Sequence, residues 1–166
     1  MREIYLQPGD QYFGSGQIRL VTLLGSCIST LLWHEGRRLG GMNHFMLPTR
    51  VNRAEDGFEG RYADESFALF RRQIEAENTT PGEYRVLLFG GANMFSTEPS
   101  DRINVGERNI RAARSLLPKH GFIINHADVG GVGYRKLSFD LFTGEVSCTQ
   151  VNDRRDHVTT GRIQFE

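Results

Sequence analysis

Only two stretches of this chain carry the apolar stripe of an amphipathic helix. Over Asp64 to Glu77, Phe67, Phe70 and Ile74 recur at i, i+3 and i+7; over roughly Gly106 to Lys119 the stripe is Ile110, Ala113 and Leu117, with Gly121 placed to stop the helix. The remaining apolar segments are short and β-rich: Gln17 to Leu24, Cys27 to Trp33, Arg38 to Leu47, Tyr84 to Phe89, Phe122 to Val129, Tyr134 to Phe142 and Glu145 to Val151. Parallel neighbours in a sheet each need a long crossover, usually a helix. Two helices cannot serve that many strands. The expected fold is therefore α+β, with helices covering a mostly antiparallel sheet system. Gly25-Ser26, Gly90-Gly91, Gly130-Gly131-Val132-Gly133 and Thr143-Gly144 read as turns, Thr49 to Arg61 as a polar loop, and the polar last fifteen residues receive little assignment.

Length and charge narrow the function classes. The chain has 166 residues, which predicts one domain over 1–166 with a core that needs no disulfide staples. Twenty basic and twenty acidic residues cancel, so the electrostatic case for a nucleic-acid binder or an anionic-membrane binder is absent. The first ten residues mix charge with Pro8 and Gly9, unlike a signal peptide, and no apolar run approaches the roughly 18 residues of a membrane span. Two cysteines, Cys27 and Cys148, are too few for a disulfide framework. The expectation is a cytoplasmic protein with reduced thiols and no membrane insertion.

One pair could carry chemistry. A hairpin turn centred between Glu35 and Gly36 pairs residues whose numbers sum to 71, and Cys27 with His44 satisfies that sum. The pair would then lie side by side on one sheet face, with Cβ atoms roughly 4.5–5.5 Å apart. An imidazole beside a thiol can generate thiolate, the reactive form. Gly25 and Ser26 precede the cysteine, and a glycine-tight turn there leaves N–H groups free to hold an oxyanion. The same spacing suits a small buried thiol opening a strand and a core histidine, and that plainer reading is the commoner one. His34, His120, His126 and His157 show no ligand spacing, so no metal is expected. Gly14-Ser15-Gly16 and Gly130 to Gly133 lack the context of a phosphate loop, and no cofactor is expected. Cys148 alternates with Val146 and reads as packed. Arg71-Arg72 and Arg154-Arg155 read as solvated faces.

Five ordered blocks go further than spacing. They are T-L-L-G-S-C (Thr22 to Cys27), G-G-M-N-H-F-M-L-P (Gly40 to Pro48), G-G-A-N-M-F (Gly90 to Phe95), V-G-E-R-N (Val105 to Asn109) and D-V-G-G (Asp128 to Gly131) followed by Arg135. Together they resemble the chemoreceptor glutamine deamidases of bacterial chemotaxis, the CheD family, over about residues 17–150. The resemblance implies an α/β sandwich of packed sheets with flanking helices. It implies Cys27 as nucleophile, His44 as base and Thr22 as the third member, with Gly25 and Ser26 supporting the oxyanion. Family members vary by one residue between this threonine and the cysteine. Tyr134 stands where the family often has glycine, with Gly133 one place earlier. The implied reaction converts receptor glutamines to glutamates, with chemoreceptors as protein substrates, a CheC-like phosphatase as a further partner and no cofactor. Two rivals stand beside it: a regulatory module that docks such a phosphatase, and a thiol methylesterase or transglutaminase, since amide and ester carbonyls form the same oxyanion.

Overall fold

The computed structural model describes residues 1–50, 57–93, 104–152 and 157–163. Its elements run β1 (Arg2–Tyr5), β2 (Gln11–Ser15), β3 (Ile18–Leu24), β4 (Ile28–His34), β5 (Leu39–Asn43), α1 (Ala63–Ala76), β6 (Arg85–Gly90), α2 (Val105–Lys119), β7 (Ile124–Val129), β8 (Tyr134–Asp140), β9 (Val146–Asn152) and β10 (His157–Ile163). One sheet has the order β1-β3-β8-β9-β10 and the other β2-β5-β4-β6-β7. Two pairings, β1 with β3 and β6 with β7, are parallel; the other six are antiparallel. Among the described residues no helix is long and apolar enough to cross a membrane.

Side-chain alternation shows how the layers stack. β4 is buried at six consecutive positions, which a strand achieves only when both its faces are covered. Ile28 and Leu32 pack with Phe67, Phe70 and Ile74 of α1 and Ala113 and Leu117 of α2. Leu31 and Trp33, pointing the other way, pack with Leu20 and Leu24 of β3 and Leu137 and Phe139 of β8. Helices thus cover one side of the β4 sheet and the β3 sheet covers the other. β8 buries Leu137 and Phe139 but exposes Tyr134 and Lys136, because its outer face meets solvent. The result is the α+β sandwich, with both apolar stripes expected of the helices turned inward.

Three strands escape a reading by pattern. β1 and β2 are short and half-exposed, and β10 is polar, so none carries a clean two-residue alternation. The strand expected over Arg38 to Leu47 is interrupted. Its regular part ends at Asn43, whose Oδ1 accepts from the Thr30 N–H at 2.6 Å in place of a backbone carbonyl. Asn43 also donates to Ser66 Oγ of α1 at 2.7 Å. The ladder with β4 resumes through a single rung, Ile28 to Phe45, with bonds of 3.1 and 3.0 Å. Within the loop expected over Thr49 to Arg61, residues 51–56 lie outside the described residues, as do Met94, Phe95 and Arg154-Arg155.

The hairpin register also differs from expectation. Leu31 pairs with Met42 and His34 with Leu39, a sum of 73 rather than 71. The loop takes four residues, because Glu35–Arg37 forms a 3₁₀ turn and Arg38 closes it with φ 48°. His34 Nδ1 accepts from the Arg37 N–H at 3.2 Å and holds that turn. A slip of two keeps every side chain on its face, whereas a slip of one would have reversed them.

Candidate active site

The slip makes Cys27 and His44 diagonal neighbours instead of direct partners. Both follow the parity of Leu31 and Met42, the residues that face the gap between the sheets. Diagonal neighbours stand roughly 7–8 Å apart at the backbone, within reach of an aromatic side chain. No hydrogen bond joins the Cys27 thiol to His44, which corrects the direct contact expected from the sum of 71.

His44 is held from both sheets. The chain between β1 and β2 crosses from one sheet to the other, and along the way pins the histidine backbone. Gly9 N–H donates to the His44 carbonyl at 2.8 Å, and His44 N–H donates to the Asp10 carbonyl at 3.1 Å. Across the gap, Thr22 Oγ1 of β3 lies 2.8 Å from His44 Nδ1. The same hydroxyl donates to the Leu6 carbonyl at 2.7 Å. A hydroxyl has one hydrogen, and a carbonyl can only accept. Thr22 has therefore spent its proton on Leu6 and must accept from Nδ1–H. That fixes the tautomer: Nδ1 carries the hydrogen, and Nε2 presents its lone pair. Thr22 is fully buried and His44 2% exposed.

Burial also sets the charge state. It pushes the Cys27 thiol above its usual range. It pulls His44 below the ordinary imidazole range, partly offset by the Leu6 carbonyl and by Asp10. At neutral pH both shifts favour the uncharged forms, a neutral thiol and a neutral imidazole.

The turn before the thiol is fixed by its carbonyls. Gly25 O accepts from Ala92 N–H and Cys27 O from Gly91 N–H, each at 2.9 Å. Ser26 O accepts from Asn109 Nδ2 at 3.0 Å. Gly90 adopts φ 111°, a conformation L side chains rarely adopt, and a Cβ there would collide with the Cys27 carbonyl. With three carbonyls turned into the protein, the N–H groups of Ser26 and Cys27 have no acceptor among the described residues.

Two residues against this site escaped the reading by spacing. Asn109, fully buried, also donates through Nδ2 to the Met46 carbonyl at 2.8 Å. Arg135, 2% exposed, donates to the carbonyls of Gly90 at 3.2 Å and Gly130 at 2.9 Å and pairs with Asp128 at 3.2 Å. Each carried a signal. Asn109 lies on the same helical stripe as Gly106, Ala113 and Leu117, and Arg135 shares the inward parity of Leu137 and Phe139. A polar residue on a buried face needs partners. Cys148 stands apart, in an inter-sheet cleft of about 370 Å³ with His126 and Asp128. Its thiol is pushed up to about 11, chiefly by burial and then by Asp128.

Comparison with known proteins places the chain in a family. The family described as CheD chemotactic sensory transduction matches residues 46–150. A Dechloromonas aromatica protein, "Probable chemoreceptor glutamine deamidase CheD 3", is 42% identical over 146 residues, covering 88% of this chain and 86% of that protein. A relative from Pseudomonas savastanoi pv. phaseolicola, "Probable chemoreceptor glutamine deamidase CheD", is 44% identical, covering 87% of this chain and 82% of its own. A Leptospira interrogans relative, "Probable chemoreceptor glutamine deamidase CheD 1", is 38% identical over 152 residues, covering 87% and 90%. With a family match over most of its length and relatives similar along nearly all of theirs, this chain belongs to the CheD family.

Proposed function

We propose that this protein hydrolyses the side-chain amide of glutamines in bacterial chemoreceptors, giving glutamate and ammonia. The observation that carries the reading is the Leu6–Thr22–His44 relay, which leaves Nε2 of a buried histidine unprotonated on the face shared with Cys27. Nε2 takes the thiol proton as sulfur attacks the amide carbon. The negative oxygen of the tetrahedral intermediate is held by the N–H groups of Ser26 and Cys27. The imidazolium passes its proton to the departing ammonia, leaving a thioester on Cys27. His44 then deprotonates a water that adds to the thioester. Collapse releases the glutamate carboxyl and returns the proton to the thiol. Thr22 accepts from Nδ1–H throughout, orienting the ring and stabilising the imidazolium, the third role of a triad, here filled by a neutral group.

The reading carries two further expectations: a cytoplasmic location, and a CheC-like phosphatase that meets the same end of the sandwich as the receptors. Mass spectrometry of a purified receptor fragment tests the activity. Each converted glutamine gains about one dalton, with ammonia released in equal amount. Cys27→Ala should abolish both while its circular dichroism matches the parent, because alanine supplies no nucleophile. Deamidation that persists in the alanine variant removes Cys27 from the reaction.

A further inference from the structure

Cys27 and His44 sit on segments that share little regular pairing. Between the Leu31–Met42 pair and the end of the sandwich, the backbones of β4 and the His44 segment meet at one rung, Ile28 with Phe45. One residue before the thiol is Ser26, and two residues past the imidazole is Met46. The carbonyls of Ser26 and Met46 both accept from a single amide nitrogen, Asn109 Nδ2, at 3.0 and 2.8 Å. That nitrogen has two hydrogens, and each goes to a different segment of the site. The carbonyl half of the same amide, Oδ1, is buried and has no hydrogen-bond partner among the described residues. A position kept only for packing would favour an apolar side chain of the same size, without an orphan acceptor. The amide has its place through its donors.

The helix that carries Asn109 is itself locked to the turn. Its Gly106 lies so close to the carbonyls of Gly91 and Ala92 that a Cβ would collide with both. Gly91 and Ala92 in turn hold the carbonyls of Cys27 and Gly25. Asn109 is therefore a rigidly mounted brace and not a mobile side chain that happens to touch two loops.

We propose that Asn109 is a positioning residue that sets the separation of the Cys27 thiol and the His44 imidazole. The inference rests on the assignment of those two groups as nucleophile and base. Asn109 touches no substrate; it acts through the Ser26 and Met46 carbonyls. Leucine matches its size and has no donors, so Asn109→Leu frees both carbonyls and lets the segments part. A misplacement near 1 Å costs catalysis roughly a hundredfold, and this loss should fall on kcat with KM unchanged.

The decisive experiment needs no substrate. Cys27 alkylation by iodoacetamide is followed by peptide mass spectrometry, with Cys148 as internal control, in the parent, His44→Ala, Asn109→Leu and the double variant. In the parent background, His44→Ala should slow Cys27 labelling roughly tenfold, a coupling in the range of residues joined through one hydrogen-bond network. In the Asn109→Leu background, His44→Ala should change it less than about twofold, with Cys148 unaffected in all four. If Asn109→Leu does not fold, Asn109→Ser takes its place; a shorter side chain cannot span both carbonyls, and the same loss of coupling is expected. Asn109→Gln, which retains both donors, should keep part of the coupling. A folded variant in which Cys27 still depends on His44 as in the parent overturns the positioning role. If His44→Ala leaves labelling unchanged in the parent itself, the catalytic pair is wrong and the brace falls with it.

Discussion

Replacing Thr22 with valine removes one hydroxyl and almost no volume, so it isolates the relay behind His44. Two hydrogen bonds go: Thr22 to the Leu6 carbonyl, and His44 Nδ1–H to Thr22. The Leu6 carbonyl is already close enough to favour protonated His44. The freed Nδ1–H can turn onto it, so neither group stays unpaired. The net stability loss is then that of about one hydrogen bond, ~1 kcal/mol, or about 2–4 °C in thermal midpoint for a chain of this size. Activity should suffer more. Turning onto Leu6 swings Nε2 off the line to the thiol, and a displacement near 1 Å costs roughly a hundredfold in kcat. The pH dependence follows from the same bond. An acceptor on Nδ1–H favours the imidazolium, and the Leu6 carbonyl takes that place from Thr22, so the acidic limb of the kcat profile should stay close to the parent's while the rate falls. The assay is ammonia release from a receptor fragment across pH 5 to 9, with thermal melts alongside. Thr22→Ser, which restores the hydroxyl, should recover most of the rate. A Thr22→Val protein within twofold of parental kcat refutes the relay.

Three other outcomes follow from the geometry. Burial holds His44 neutral in the native state, so as pH falls below about 6.5 the unfolded chain takes up the proton first and stability declines; urea midpoints should drop on that side, and less in His44→Gln. Cys148, pushed up to about 11, should alkylate slowly until strongly alkaline pH, while Cys27, also raised by burial but with the bare Nε2 of His44 on its face to take the proton, should react faster; equal rates at pH 7 would contradict that assistance. Arg135→Met leaves the Gly90 and Gly130 carbonyls without their donor, which should cost about 1–3 kcal/mol in urea titration; Asp128→Asn, which takes the counter-charge from the buried Arg135, should also lower the urea midpoint.

What the sequence discloses depends on whether one face of an element is buried. Leu137, Phe139 and Leu141 alternate cleanly because one side of β8 meets the core and the other meets water, and the helix stripes are legible for the same reason. The shared face of Cys27 and His44 is equally legible, since parity survives any even slip. The register is not, because it turns on Arg38 adopting φ 48°, a left-handed conformation that an arginine does not advertise as a glycine would. β1 escapes because its pairing with β3 is long-range and its residues, mostly exposed, have no periodicity to show. The relay behind His44 escapes for a related reason. Leu6 contributes only a backbone carbonyl, which leaves no mark in a sequence, and Thr22 is marked only by family resemblance.

The bonds that fix the thiol turn also impose an order in time. The residues proposed to react, and those that orient them, lie between Leu6 and Met46, and are synthesised before the partners that hold the turn. Those partners are Gly91 and Ala92, more than a third of the chain beyond Cys27, and Asn109, about half a chain beyond it. A nascent chain that has released Cys27 and His44 but not α2 has a thiol and an imidazole on unbraced segments. Such a chain lacks the arrangement that the proposed deamidation needs. Contacts this far apart in sequence also close slowly, so the proposed activity would arise only as folding nears completion, and truncated products of interrupted synthesis would carry Cys27 without the brace proposed for it.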